Sequence, residues 1–175
     1  MNRHVITIGA ILLASGLVSL PNSTSANTRL SSRQAPRAIQ VAQSTTVNIA
    51  TIERSIFDQI NQYRTSKGLS KLTRNTKIDN QARTHSQNMA NGKIPFSHQD
   101  FSNRVKSIGI AYNGAAENIA YNQGYKDPAT QAVQGWLKSQ GHKQNIEGNY
   151  SQTGIGVAAN SKGEIYFTEI FINNK

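Results

Sequence analysis

The sequence predicts an α+β fold, an α-β-α sandwich with helical layers on both faces of a small, mainly antiparallel central sheet. Two observations lead there. Between Thr51 and Trp136 apolar residues recur at helical spacing in four segments, whereas from Thr153 onward the pattern is extended. The last run, Glu164 to Ile172, is apolar at odd and even positions alike and so needs cover on both sides.

The chain opens on a targeting segment, 1–26. Arg3 supplies the positive start, Val5 to Leu20 is an apolar stretch diluted by Gly, Ser and Thr, and Pro21 breaks it. Thr24-Ser25-Ala26 offers the small residues that signal peptidase requires. The stretch is short and weakly apolar for a stable span, so cleavage is expected, with no membrane span afterwards. From Asn27 to Ala50 the residues are Ser, Thr, Gln, Arg and Ala without periodicity, the composition of a disordered linker. The folded domain is expected over 51–175.

Its first helix carries Ile52, Ile56, Ile60 and Tyr63 on one face, with Thr51 as N-cap and Gly68 as the stop. A second runs from Thr76 to Asn91. Thr76 and Asp79 resemble a capping box, and Ile78, Ala82, His85 and Met89 share a face. A third, shorter helix carries Phe101, Val105 and Ile108 and is closed by Gly109. Asp127-Pro128 opens a fourth, whose stripe is Ala129, Ala132, Val133 and Trp136, with Gly141 after its end. Thr153 to Ala159 and Glu164 to Ile172 then form an antiparallel hairpin around the turn Asn160-Ser161-Lys162-Gly163.

Composition removes several functions. With no cysteine among 175 residues, thiolate metal sites, iron–sulfur clusters, Cys nucleophiles and lipoprotein anchors are excluded. A small secreted domain without disulfides also points to a bacterial source. The net charge is +10, and residues 51–175 hold fifteen Lys or Arg against nine Asp or Glu. These basic residues are scattered and lack an aromatic platform, so nucleic acid is not the expected partner. An anionic cell-wall polymer or a lipid headgroup suits an exported protein better. A surface charged for solubility alone explains the surplus equally well. There is no His-Glu-x-x-His, no Gly-x-Ser-x-Gly elbow and no phosphate-binding glycine loop.

What remains is a small polar set. His85, on an apolar helix face, reads as a hydrogen-bonded core residue. His98 lies in a loop entering the third helix, and His142 lies just beyond the fourth. Glu117, in Ala115-Ala116-Glu117-Asn118-Ile119-Ala120, is flanked by residues that would draw it out of water, so it needs a partner. Two imidazoles would serve, with or without a metal ion between them. Glu169 shares a strand face with Ile165, Phe167 and Phe171. It is either a further member of the same cleft or a partner for a nearby basic residue.

Six segments occur in a telling order: Ile60-Asn61-Gln62-Tyr63-Arg64, the helix from Ala82 to Ala90, Phe96-Ser97-His98, Ala116 to Ala120, Gly135 to Ile146, and Tyr166-Phe167-Thr168-Glu169-Ile170-Phe171. Together they resemble the bacterial branch of the CAP superfamily, which groups cysteine-rich secretory proteins, antigen 5 and plant pathogenesis-related class 1 proteins. The resemblance covers about residues 52–172. It implies a central cleft lined by two His and acidic residues, which in some members holds zinc or another divalent cation and in others a sterol or fatty acid. His98 matches the family's first His, and Glu117 matches the Glu of its Glu-Asn-Ile motif. Eukaryotic members place their second His where this chain has Tyr166 and a second Glu where it has Ser139, so His142 takes the vacant role. The metal set implied is His98, Glu117 and His142, with Glu169, Tyr166 and Ser139 as further cleft residues.

Three functions stay open on the sequence. The favoured one is a non-catalytic binding module, secreted or retained in the periplasm or cell envelope, whose cleft holds a divalent cation, a small apolar ligand such as a lipid or sterol, or a cell-wall fragment. The second is a metal-dependent hydrolase using zinc-bound water. The third is a structural envelope protein whose His/Glu cluster is a buried network. A monomer is expected.

Overall fold

A computed structural model of the chain describes residues 4–7 and 48–174. The expected cleavage after Ala26 and the linker up to residue 47 lie outside the described residues. His4–Thr7 forms a short strand, β1, within the segment read as a targeting sequence. The remaining elements are α1 (Ile49–Ser66), β2 (Thr73–Arg74), α2 (Thr76–Ala90), α3 (Phe101–Ile108), β3 (Tyr112–Gln123), α4 (Pro128–Lys138), α5 (Gln140–Glu147), β4 (Gln152–Ala159) and β5 (Glu164–Asn174).

The sheet runs β1-β3-β5-β4-β2. Its centre is antiparallel: β5 pairs with β3 from Tyr112↔Asn174 to Gln123↔Glu164, and with β4 from Gln152↔Ile172 to Ala159↔Ile165. The edge strands β1 and β2 are parallel to β3 and β4. Residue alternation sorts the core into two layers. Ala116, Ala120, Phe167 and Phe171 face α1 and α4, meeting Ile56, Ile60, Ala132, Val133 and Trp136. Their neighbours Ala115, Ile170 and Ile172 face α2 and α3, meeting Ile78, Ala82, Val105 and Ile108. This is the predicted sandwich, and the two-faced apolar strand is the middle strand β5.

The helices obey the stripes read from the sequence, but two starts differ. α1 begins inside the stretch assigned to the linker, because the Asn48 side chain caps it by accepting from the Thr51 backbone at 3.1 Å. α2 is capped by Asn75, not by a box between Thr76 and Asp79. Asp79 is drawn inward instead, where it accepts from the Ile155 backbone at 2.8 Å and pairs with Arg74. Asp127 caps α4 as expected, accepting from both the backbone and hydroxyl of Thr130, bonds that hold its carboxyl below the usual range.

Four elements were not anticipated, the short edge strands β1 and β2 together with α5 and β3, and the last two build the site. α5 follows α4 after a single extended residue, Ser139, so Gly141 lies inside a helix rather than ending one. β3 has buried residues on both faces from Ala115 to Ala120 and shows no alternation in its sequence. Trp136 fixes α4 on β3 by donating its indole N–H to Ile119 O at 3.0 Å. Arg64 of α1 fixes the end of α5, donating to Ile146 O at 2.6 Å and Gly148 O at 2.9 Å. Among the described residues no helix is long and apolar enough to cross a membrane.

Candidate functional site

Glu117 and Asn118 are consecutive on β3, so they point to opposite faces of the sheet. Glu117 faces the α2–α3 layer and is fully buried. A carboxylate there must be paired or it is costly. Two partners meet it. His98, from the loop between α2 and α3, donates Nδ1–H to Glu117 Oε1 at 2.9 Å. Arg104, on α3, donates Nη2–H to both carboxylate oxygens at 2.7 and 2.8 Å and Nε–H to Oε2 at 3.2 Å. Its remaining Nη1 donates to Gln99 O, which ties the His98 loop to the same guanidinium.

This geometry sets the tautomer of His98. Facing a carboxylate oxygen, Nδ1 carries a proton, and Nε2 is the nitrogen left for a further partner. Nε2 is buried and has no hydrogen-bond partner.

His142 approaches from α5 on the other face. Its backbone carbonyl accepts from Asn118 Nδ2 at 3.1 Å, and Asn145, one turn on, donates to Asn118 Oδ1 at 2.9 Å and to Glu117 O at 3.3 Å. Those amides fix α5 against β3 directly behind the carboxylate. The ring itself is fully buried, and neither nitrogen has a partner. Burial, helped by the neighbouring His98, lowers its pKa from 6.5 to about 4, so the imidazole is neutral at physiological pH.

The structure therefore joins His98 to Glu117 directly and brings His142 into their neighbourhood. It does not assemble the three as ligands of one ion: among the described residues no group of three His, Asp or Glu side chains is arranged to hold a metal. The physical reason is Arg104, which occupies the carboxylate that a cation would need. No sequence motif marks Arg104; only the rule that a buried carboxylate needs a counter-charge could have pointed to a basic residue on α3.

The other candidates lie apart. Glu169 is fully buried on the α1 side of β5, where Oε1 accepts from Thr153 Oγ1 at 3.2 Å and Oε2 is unpartnered. Burial raises its pKa to about 8 against the bond from Thr153 and the more distant charges of Arg64 and Arg74. Tyr166 donates to Glu164 at 3.3 Å and stacks on Tyr121, whose ring also meets the edge of Phe96. Ser139 sits in the joint between α4 and α5. His85 is the core residue expected: it is 2% exposed and donates Nε2–H to Ser97 O at 2.9 Å, anchoring the residue before His98.

Comparison with known proteins shows the family and the fold. The sequence profile of the cysteine-rich secretory protein family matches residues 57–171. The Bacillus subtilis protein YkwD is 33% identical over 147 residues, which are 79% of this chain and 55% of that relative. The chain thus spans about half of that relative's length. Among solved structures, an extracellular SCP-domain protein from Bacillus anthracis matches with 27% identity and a TM-score of 0.59, over 71% of this chain and 41% of its own. An outer surface protein of Borrelia burgdorferi matches over 71% of this chain and 94% of its own, with a TM-score of 0.64 and 16% identity. The last likeness is one of fold.

Proposed function

The chain belongs to the cysteine-rich secretory protein family, and we propose that it acts outside the cytoplasm as a binding module without turnover, taking its ligand on the ring nitrogens of His98 and His142. The observation that carries this reading is the set of buried, unpartnered nitrogens: His98 Nε2 and both nitrogens of His142. Buried polar atoms are nearly always satisfied, so three in one neighbourhood imply a group that satisfies them.

One ring nitrogen from each of His98 and His142 makes the donor set of a borderline divalent cation such as zinc. The fit is to a two-nitrogen site. Glu117 stands behind His98 and orients its ring, as outer carboxylates do for metal-binding histidines, while Arg104 balances its charge. The cation would supply a Lewis-acidic centre with positions open to water or to a donor group of a larger ligand. An anionic cell-wall polymer suits that role, since the positive surplus of the domain would attract it.

Turnover would need a base beside that centre, and neither carboxylate is free to serve. Glu117 is held by Arg104 and His98, and Glu169 is inside the α1 layer on Thr153. Calorimetric titration of zinc into the full chain should show one saturable site. His98→Ala and His142→Ala should each weaken it at least about tenfold, and Glu117→Gln by about 10–100-fold through the lost orientation of His98. A chain that takes up no zinc, or variants that bind it as tightly as the parent, would overturn the reading.

A further inference from the structure

A groove of about 470 Å³ lies between α2 and α3, on the outer side of the loop that carries His98. Small-ligand sites typically span roughly 300–1,000 Å³, so its size admits a saccharide unit or two. Its lining differs from that of a lipid pocket. Gln81 and Asn88 of α2 and Gln99 of the loop contribute side-chain amides that make no hydrogen bond among the described residues, and Ile94 supplies one apolar wall. Thr84 and Ser107 add hydroxyls at the rim.

The floor is more specific. His85 lines the groove although it is only 2% exposed. Its Nε2 faces the carbonyl oxygen of Ser97 at 2.9 Å and must carry the ring proton. Nδ1 is therefore a lone-pair acceptor, and it has no partner among the described residues. Burial lowers the pKa of the ring and keeps it in this neutral form. Two charged groups stand in the lining: Arg104, whose charge is taken by Glu117, and Asp100, whose carboxylate accepts from the Asn103 amide. A groove that offers free amides, a fixed imidazole acceptor and one apolar wall, with a single carboxylate at Asp100 and no free cationic group, is unsuited to an anion and favours a neutral polar ligand.

We infer that the α2–α3 groove is a second binding site, distinct from the His98–His142 site, for a neutral, hydroxyl-rich ligand, namely a segment of glycan. Sugar hydroxyls both donate and accept. Each amide meets that pattern with one acceptor and two donors, and the His85 acceptor orients one hydroxyl of the ring.

The test is a titration of the full chain with chitotetraose, a neutral N-acetylated tetrasaccharide, read by calorimetry or by saturation-transfer NMR. Saturable binding is expected. The double variant Gln81→Ala/Asn88→Ala should weaken it about tenfold, the loss of one or two hydrogen bonds. Thr84→Trp, at an exposed rim position, should block the groove and abolish binding without touching the core. His142→Ala should leave it unchanged, which separates this site from the proposed cation site. Absence of saturable binding, or full binding in both groove variants, would overturn the proposal. So would loss in His142→Ala, or displacement of the sugar by sodium phosphate.

Discussion

Glu117 and Glu169 are both fully buried, on adjacent strands and facing opposite layers, and their surroundings give them different roles. Glu117 meets a guanidinium fork and an imidazole, so its charge is balanced where it stands. Glu169 has only the Thr153 hydroxyl within bonding distance, and burial raises its pKa from 4.5 to about 8. The folded chain then keeps this proton through neutral pH, while the unfolded chain releases it above about pH 4.5. The stability Glu169 contributes is complete below that point and is lost as pH rises towards 8. Glu169→Gln keeps the shape and removes the titration. Thermal melts should show the variant more stable than the parent by about 1–3 kcal/mol at pH 7, with the difference closing near pH 4.5. A variant no more stable at pH 7 would show that Glu169 is ionised and paired in the folded chain.

The α2–β4 contact shows how closely the layers approach. Gly154 and Gly156 of β4 lie directly under α2: a Cβ on Gly156 would fall on the backbone of Ala82 and Arg83, and one on Gly154 on that of Ile78 and Asp79. Ser86 completes the contact, donating to Gly156 O at 2.9 Å. Because helix backbone cannot yield as a side chain does, Gly156→Ala must lift α2 from the sheet. We expect a loss of about 3 kcal/mol in denaturant unfolding, at the upper end for overpacked cores; a loss below about 1 kcal/mol would mean that the helix is loosely seated. Legibility also divides by element. α1 to α4 could be read because each has one apolar stripe and a terminal Asn, Asp or Gly. β3 could not, since Tyr112–Gln123 is rich in Ala, Asn and Gly and buried on both faces, which leaves no period to find. α5 could not, because eight residues with Gly141 near the start resemble a helix end.

At the scale of the molecule, the two layers converge where β3 lies between α3 and α5. One face supplies Glu117 with His98 and Arg104, the other supplies Asn118 with Asn145 and His142. The sequence singled out His98 and His142, because they stand in recognisable segments while His85 repeats with its helix stripe. It hid the role of Glu117, since whether a carboxylate binds an ion or a guanidinium depends on a residue brought in by tertiary packing. The account rests on His98 presenting an unprotonated Nε2 in the neighbourhood of His142, whose ring burial keeps neutral. Long-range proton–nitrogen NMR of the histidine rings in the ¹⁵N-labelled full chain, before and after zinc, tests this most directly. We predict a proton on His98 Nδ1 alone and zinc-induced shifts at His98 Nε2 and one nitrogen of His142, with His85 unmoved. A proton on His98 Nε2, or two rings that do not respond to zinc, would contradict it.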